Sequence, residues 1–110
     1  MPDNQDFYTY RVTWSEDDQE YVGLCTEFPS LSWLDKTIEA ALSGIRTVVS
    51  DVIKDMKQTG EAIPEPLSLK QYSGNISLRI APETHRILSI QAAESGISLN
   101  RYINSKLASI

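Results

Sequence analysis

The stretch Asn75-Ile76-Ser77-Leu78-Arg79-Ile80-Ala81-Pro82-Glu83 decides how the chain is read. Its first six residues alternate strictly between polar and apolar side chains, the period-2 signature of a strand with one buried face. Ile76, Leu78 and Ile80 fall on one side, and Asn75, Ser77 and Arg79 on the other. Pro82 then suits a first helical position, with Glu83 placed where the positive end of the helix dipole favours an acid. Thr84, Leu88 and Ala92 share one face of that helix, and Gly96 is placed to end it in a left-handed conformation. Ser98 is a good N-cap for a second helix carrying Leu99, Tyr102, Ile103 and Leu107 at helical spacing. A unit of about 40 residues cannot bury an adequate core alone. The open edge of its single strand points to a second copy as the partner, paired strand to strand.

Strand, proline, Ile97-Ser98-Leu99-Asn100-Arg101-Tyr102-Ile103 and the closing apolar helix together resemble the ribbon-helix-helix DNA-binding fold. The resemblance implies a two-stranded ribbon, one strand from each chain, lying in the major groove. It maps base reading onto Asn75, Ser77 and Arg79. Arginine can meet guanine and asparagine adenine in bidentate fashion, while serine is permissive. It maps a phosphate clamp onto Ser98, Leu99 and Asn100, where free backbone N–H groups meet an anion. A helix-turn-helix around Gly96, with Asn100 and Arg101 reading bases, is the competing arrangement, but it leaves the alternating strand without a role.

Working outward, the 110 residues hold one or two small domains, with 41% hydrophobic and 23% charged residues, as in ordinary soluble proteins. No apolar run approaches a membrane span, and the acidic start does not look like a signal peptide. The single cysteine, Cys25, allows no intramolecular disulfide and suits a reducing cytoplasm; it reads as a small buried apolar residue. The net charge of −5 is unevenly divided: residues 1–70 carry 13 acidic and 6 basic side chains, residues 71–110 carry 2 and 4. A basic end can face phosphate, and an acidic remainder suits a basic protein partner.

In the first seventy residues, Met1–Asp6 is polar and expected to fray. Tyr8, Tyr10, Val12 and Trp14 alternate with polar residues and predict a strand with an aromatic face. Ser15–Gln19 predicts a hairpin loop, Glu20–Thr26 a second strand and Leu31–Leu34 a third. Thr37 caps a long helix whose stripe is Ile38, Ala41, Leu42, Ile45, Val48, Val49, Val52, Ile53 and Met56, the expected core face. Gly60 stops it, Ile63-Pro64-Glu65-Pro66 cannot continue it, and Ser68–Ser73 is expected to hold a last short strand and a linker.

The helix opening Thr37-Ile38-Glu39-Ala40-Ala41-Leu42 and the run Gly60-Glu61-Ala62-Ile63-Pro64-Glu65-Pro66 resemble the HicB antitoxin family. That resemblance implies an α+β chain: a partial RNase H-like β-β-β-α-β domain over residues 1–70, which binds the toxin, and a ribbon-helix-helix domain over 74–110, which dimerises and binds DNA. It further implies a cytoplasmic type II antitoxin that neutralises a small basic RNA-cleaving toxin of the HicA kind and represses its own operon as a homodimer or higher homo-oligomer. A stand-alone repressor with a sensory N-terminal domain is the alternative. No cofactor, metal, membrane or catalytic role is expected. Asp17, Asp18, Glu20 and Glu27 could build a metal-dependent nuclease site, but acids in a turn are more simply a solvated loop. His85, the single histidine, has no catalytic partners in the pattern.

Overall fold

A computed structural model describes residues 4–109. The chain divides into two compact units, Met1–Tyr72 and Ser73–Ile110. Among the described residues it is α+β, with one three-stranded antiparallel sheet and three α-helices.

In the first unit, a short 3-10 turn, Asn4–Phe7, precedes β1 (Tyr10–Ser15), β2 (Glu20–Cys25) and β3 (Ser32–Asp35), ordered β1-β2-β3. Asn4–Phe7 is thus structured where fraying was expected; Met1–Asp3 lie outside the described residues. The β1–β2 hairpin closes with Ser15 opposite Glu20, and Gln19 takes a positive φ of 53° to turn the chain. Two cross-strand rows face the helix, Val12–Gly23–Trp33 and Trp14–Tyr21–Asp35.

Helix α1 (Ile38–Thr59) starts at Thr37, whose Oγ1 accepts a hydrogen bond from the Ala40 N–H at 3.1 Å, and ends at Gly60 with φ 75°. Both signals work as the residue types require: a hydroxyl caps a free N–H, and a residue without Cβ enters the left-handed region. The buried part of its stripe is Ala41, Ile45, Val49 and Ile53, packed with Tyr8, Cys25 and Phe28. Burial of side chains such as Ile45 and Val49 is worth about 1.5–3 kcal/mol each. Ile38 and Leu42, expected in the core, are instead exposed, because the single layer of strands is narrower than the stripe.

Gly23 allows the helix to lie this close. A Cβ there would sit 2.5 Å from the Ala41 carbonyl oxygen and 2.9 Å from Ile45 Cγ2. Gly44 performs the same service for Trp33, whose indole would lie 2.0 Å from an added Cβ.

The expected fourth strand does not form. Residues 61–66 are irregular, and 67–69 make a turn. The N–H groups of Leu69 and Lys70 both turn back onto the Pro66 carbonyl, at 3.0 and 3.2 Å, so the start of Ser68–Ser73, where that strand is expected, is taken up by the turn. Side chains hold the segment instead. The Tyr8 hydroxyl donates to the Pro64 carbonyl at 2.6 Å, and the Ser68 hydroxyl donates to the Phe7 carbonyl at 2.5 Å. The Glu27 carboxylate accepts from the Leu67 N–H at 2.9 Å, the Thr9 N–H at 2.9 Å and the Thr9 hydroxyl at 3.2 Å. Pro66 is fully buried beneath this clasp.

Partial burial pushes the Glu27 carboxyl up, but the N–H groups of Leu67 and Thr9 outweigh it and hold the group below its ordinary value. A carboxyl depressed on folding contributes stability that is present above its unfolded pKa of about 4.3 and is lost as pH falls through the folded value. Glu27→Gln should therefore cost on the order of 1–2 kcal/mol at pH 7, and the gap should shrink as the pH falls below about 4. Thermal melts of both proteins between pH 7 and 3 measure this. Gly23→Ala should lower stability by about 1–3 kcal/mol, because the Ala41 backbone must move away. Urea denaturation of the two proteins checks it.

Candidate nucleic-acid interface

The second unit is built from α2 (Pro82–Glu94) and α3 (Leu99–Leu107). Pro82 occupies the first helical position after Ala81, as its fixed φ allows. The helix closes with the Gly96 N–H on the Ala93 carbonyl, the Ile97 N–H on the Ala92 carbonyl, both at 3.1 Å, and Gly96 at φ 70°. This paired pattern is the Schellman motif, which needs a residue tolerant of positive φ at Gly96. Two residues later, Ser98 Oγ accepts from the Arg101 N–H at 3.1 Å and starts α3. The Tyr102 hydroxyl, 2.8 Å from Gln91 Oε1, ties the two helices together.

Residues 75–80 are not in a strand within the single chain. A strand is defined by hydrogen bonds to a neighbour, and no second strand of this unit is available to supply them. Asn75 is positioned by its own N–H, which donates to Ser73 Oγ at 3.0 Å after Gly74, at φ 82°. Asn75, Ser77 and Arg79 are all exposed, and Arg79 makes no ion pair among the described residues.

The apolar side of the same segment is also uncovered. Ile76 is 76% exposed, Leu78 64% and Ile80 42%. Leu78 and Ile80 line an open apolar groove of about 410 Å³ with Leu88, Leu99, Ile103 and Leu107. Ala92 alone is buried among the described residues of this unit, and Thr84, expected on the packed face, is exposed. His85 and Lys106 sit at the edge of the groove. Neither the groove nor the part of His85 in it was read in detail from the sequence, because both depend on how α2 and α3 cross.

At the start of α3, Ser98 is exposed, Leu99 half-buried and Asn100 exposed. The cap takes the Arg101 N–H and the Ser98 carbonyl takes the Tyr102 N–H, so the N–H groups of Leu99 and Asn100 remain directed out of the helix end. The six sequence-derived positions thus fall in two places: three along 75–80 and three at the head of α3. Arg86, which forms an ion pair with Glu83 one turn earlier on α2, adds no free charge to either.

Three of the four acids weighed as a nuclease site are engaged separately. Asp18 accepts from the Ser15 hydroxyl at 2.8 Å, Glu20 lies 3.8 Å from Lys36, and Glu27 holds the segment after α1. Among the described residues, no group of three or more His, Cys, Asp or Glu is placed to hold a metal ion. Burial pushes the Cys25 thiol up, as fits a packed apolar residue. No helix among the described residues is long and apolar enough to cross a membrane.

Residues 59–107 match the HicB family. The matched span runs from the end of α1 through Gly60 and the two prolines to the end of α3, and includes all six candidate positions. The match covers 49 of the 110 residues, just under half of the chain. No curated protein and no solved structure matches the chain.

Ser98→Ala should remove the cap of α3 and destabilise the helix by about 1 kcal/mol, whereas Ser98→Asp should retain it. Circular dichroism melts of the two variants distinguish them.

Proposed function

We propose that the chain is an antitoxin and autorepressor that acts by binding, without catalysis or cofactor, in the cytoplasm. Two chains pair their 75–80 segments into an antiparallel ribbon, forming a ribbon-helix-helix dimer over residues 74–110. The observation that carries this reading is the second unit's uncovered apolar side. Ile76, Leu78 and Ile80 stand exposed beside the groove lined by Leu88, Leu99, Ile103 and Leu107. An apolar surface of that kind in so small a unit calls for a second copy. Its strand segment has no hydrogen-bonding partner within the unit, and the same pairing satisfies both needs.

With the apolar side turned inward, Asn75, Ser77 and Arg79 face outward together from both chains, the arrangement that a ribbon uses to read base edges in the major groove. The N–H groups at the head of α3 suit a backbone phosphate on either side. The first unit, a partial RNase H-like domain over residues 1–70, binds and neutralises an RNA-cleaving HicA-like toxin. Its 13 acidic side chains against 6 basic ones fit a basic partner.

The test is binding of the intact protein to the DNA upstream of its own gene, against scrambled DNA at fixed near-physiological salt, since the phosphate contribution alone can shift affinity by orders of magnitude. Preferential binding is expected, and Arg79→Ala should lose roughly 1–3 kcal/mol of discrimination at one base pair. Equal affinity for both DNAs would overturn the repressor reading. An Arg79→Ala protein with unchanged sequence preference would overturn the ribbon.

A further inference from the structure

The first unit carries an exposed apolar flank that its own fold leaves open. Tyr10 lies under Arg46, whose guanidinium sits 5.9 Å from the ring centroid, and both border an open groove with Leu42. From Tyr10 to Trp14 the strand advances about 13 Å. From Arg46 back to Ile38 the helix retreats about 12 Å. The two elements run antiparallel here, because Asp35, in the row of Trp14, is followed within three residues by Ile38. Trp14, Leu42 and Ile38 therefore border one flank, at the edge formed by β1 and the side of α1. All three are exposed: Trp14 45%, Ile38 51% and Leu42 37%.

Two further features mark this flank. The Thr26 N–H donates to the Thr9 carbonyl, so the hydrogen-bonded pairs continue through Arg11, Thr13 and Ser15. The N–H and C=O groups of Tyr10, Val12 and Trp14 then point to the open edge, with no partner strand among the described residues. At the end of the flank near Trp14 and Ile38, acids predominate. Glu16, Asp17 and Asp18 follow Trp14 after Ser15, and Glu39 lies between Ile38 and Leu42. The indole N–H of Trp14 donates to Glu16 at 2.7 Å, fixing that carboxylate at the rim of the ring. Among the cations nearby, Arg46 pairs with Asp6 and Lys36 lies 3.8 Å from Glu20, while Arg11 belongs to the opposite face of β1 and Lys54 lies two turns beyond Arg46 along the groove.

We infer that this flank, with Trp14, Ile38 and Leu42 at its centre and Glu16, Asp17, Asp18 and Glu39 at its rim, is the docking surface for a basic protein. An aromatic and aliphatic centre inside a charged rim is the anatomy of a protein interface. The sign of the rim selects the occupant, since a second copy would bring the same acids against it. Resting on the antitoxin reading, the inference makes that basic protein the toxin.

The experiment uses the intact protein and, as probe, the small basic protein encoded beside its gene, with affinity measured by titration calorimetry. Three variants are compared with wild type: Leu42→Lys, the double reversal Asp17→Lys/Asp18→Lys, and the double reversal Glu61→Lys/Glu65→Lys. The last changes net charge by the same amount away from the flank. Leu42→Lys and the Asp17/Asp18 reversal should each weaken binding at least about tenfold, and the Glu61/Glu65 reversal less than about threefold. Urea unfolding followed by the fluorescence of Trp14 and Trp33, both in the first unit, should match wild type for all three, which shows that this unit is folded. If wild type binds the probe and every variant binds equally well, the docking surface is refuted and the antitoxin reading stands. If the two charge reversals weaken binding alike while Leu42→Lys does not, bulk charge replaces the flank as the explanation. If wild type does not bind the probe, the antitoxin reading fails and this surface fails with it.

Discussion

Everything in the first unit depends on how closely α1 can lie against β2. Gly23 sits beneath the Ala41 carbonyl and Ile45, where no side chain would fit. That approach lets one helix stripe seal one face of a three-stranded sheet. The core that results is small, comprising Tyr8, Cys25, Phe28, Ala41, Ile45, Val49 and Ile53 among the buried apolar residues. A domain with so few buried side chains needs additional ties. The Glu27 carboxylate provides one by joining the start of β1 to the segment beyond α1 through three hydrogen bonds.

The close approach at Gly23 also determines what remains outside. A helix lying over β2 and β3 leaves the β1 flank bare, so Trp14, Ile38 and Leu42 face solvent although their spacing marks them as apolar stripe and strand residues. In the second unit the same shortage appears in another form. Two helices and an extended segment bury only Ala92 among the described residues. The uncovered surface there is self-complementary in the sense that pairing two copies would satisfy both its apolar side chains and its unpaired backbone. On the first unit the uncovered surface carries acids at its rim, and a second copy would meet repulsion. Under the proposed function the two apolar surfaces take different partners, and local charge is what distinguishes them.

Local signals in the sequence were read correctly where one or two residues decide the conformation. Thr37 and Ser98 cap helices because a hydroxyl can reach a free N–H, Gly60 and Gly96 end them because only glycine enters the left-handed region cheaply, and Pro82 begins one. The three-strand meander followed from alternation and from a hairpin loop rich in turn residues. The short strand expected within Ser68–Ser73 gives way to a turn closed on the Pro66 carbonyl, a contact that the residue types there do not announce.

The sequence by itself determined the order of the strands and helix in the first unit, where α1 begins and ends, and which side chains around Arg79 and Ser98 are polar, because capping, turn formation and alternation act over a few neighbouring residues. Only the tertiary structure decided which apolar residues are buried. Ile45 and Ile38 lie on the same stripe, yet one is sealed beneath the sheet and the other stands in solvent, since burial depends on the width of the layer opposite. It likewise decided that Glu27, four residues from no other member of its clasp in any obvious pattern, meets both Thr9 and Leu67. Those contacts span 18 and 40 residues of chain, and no local rule of spacing carries across such distances.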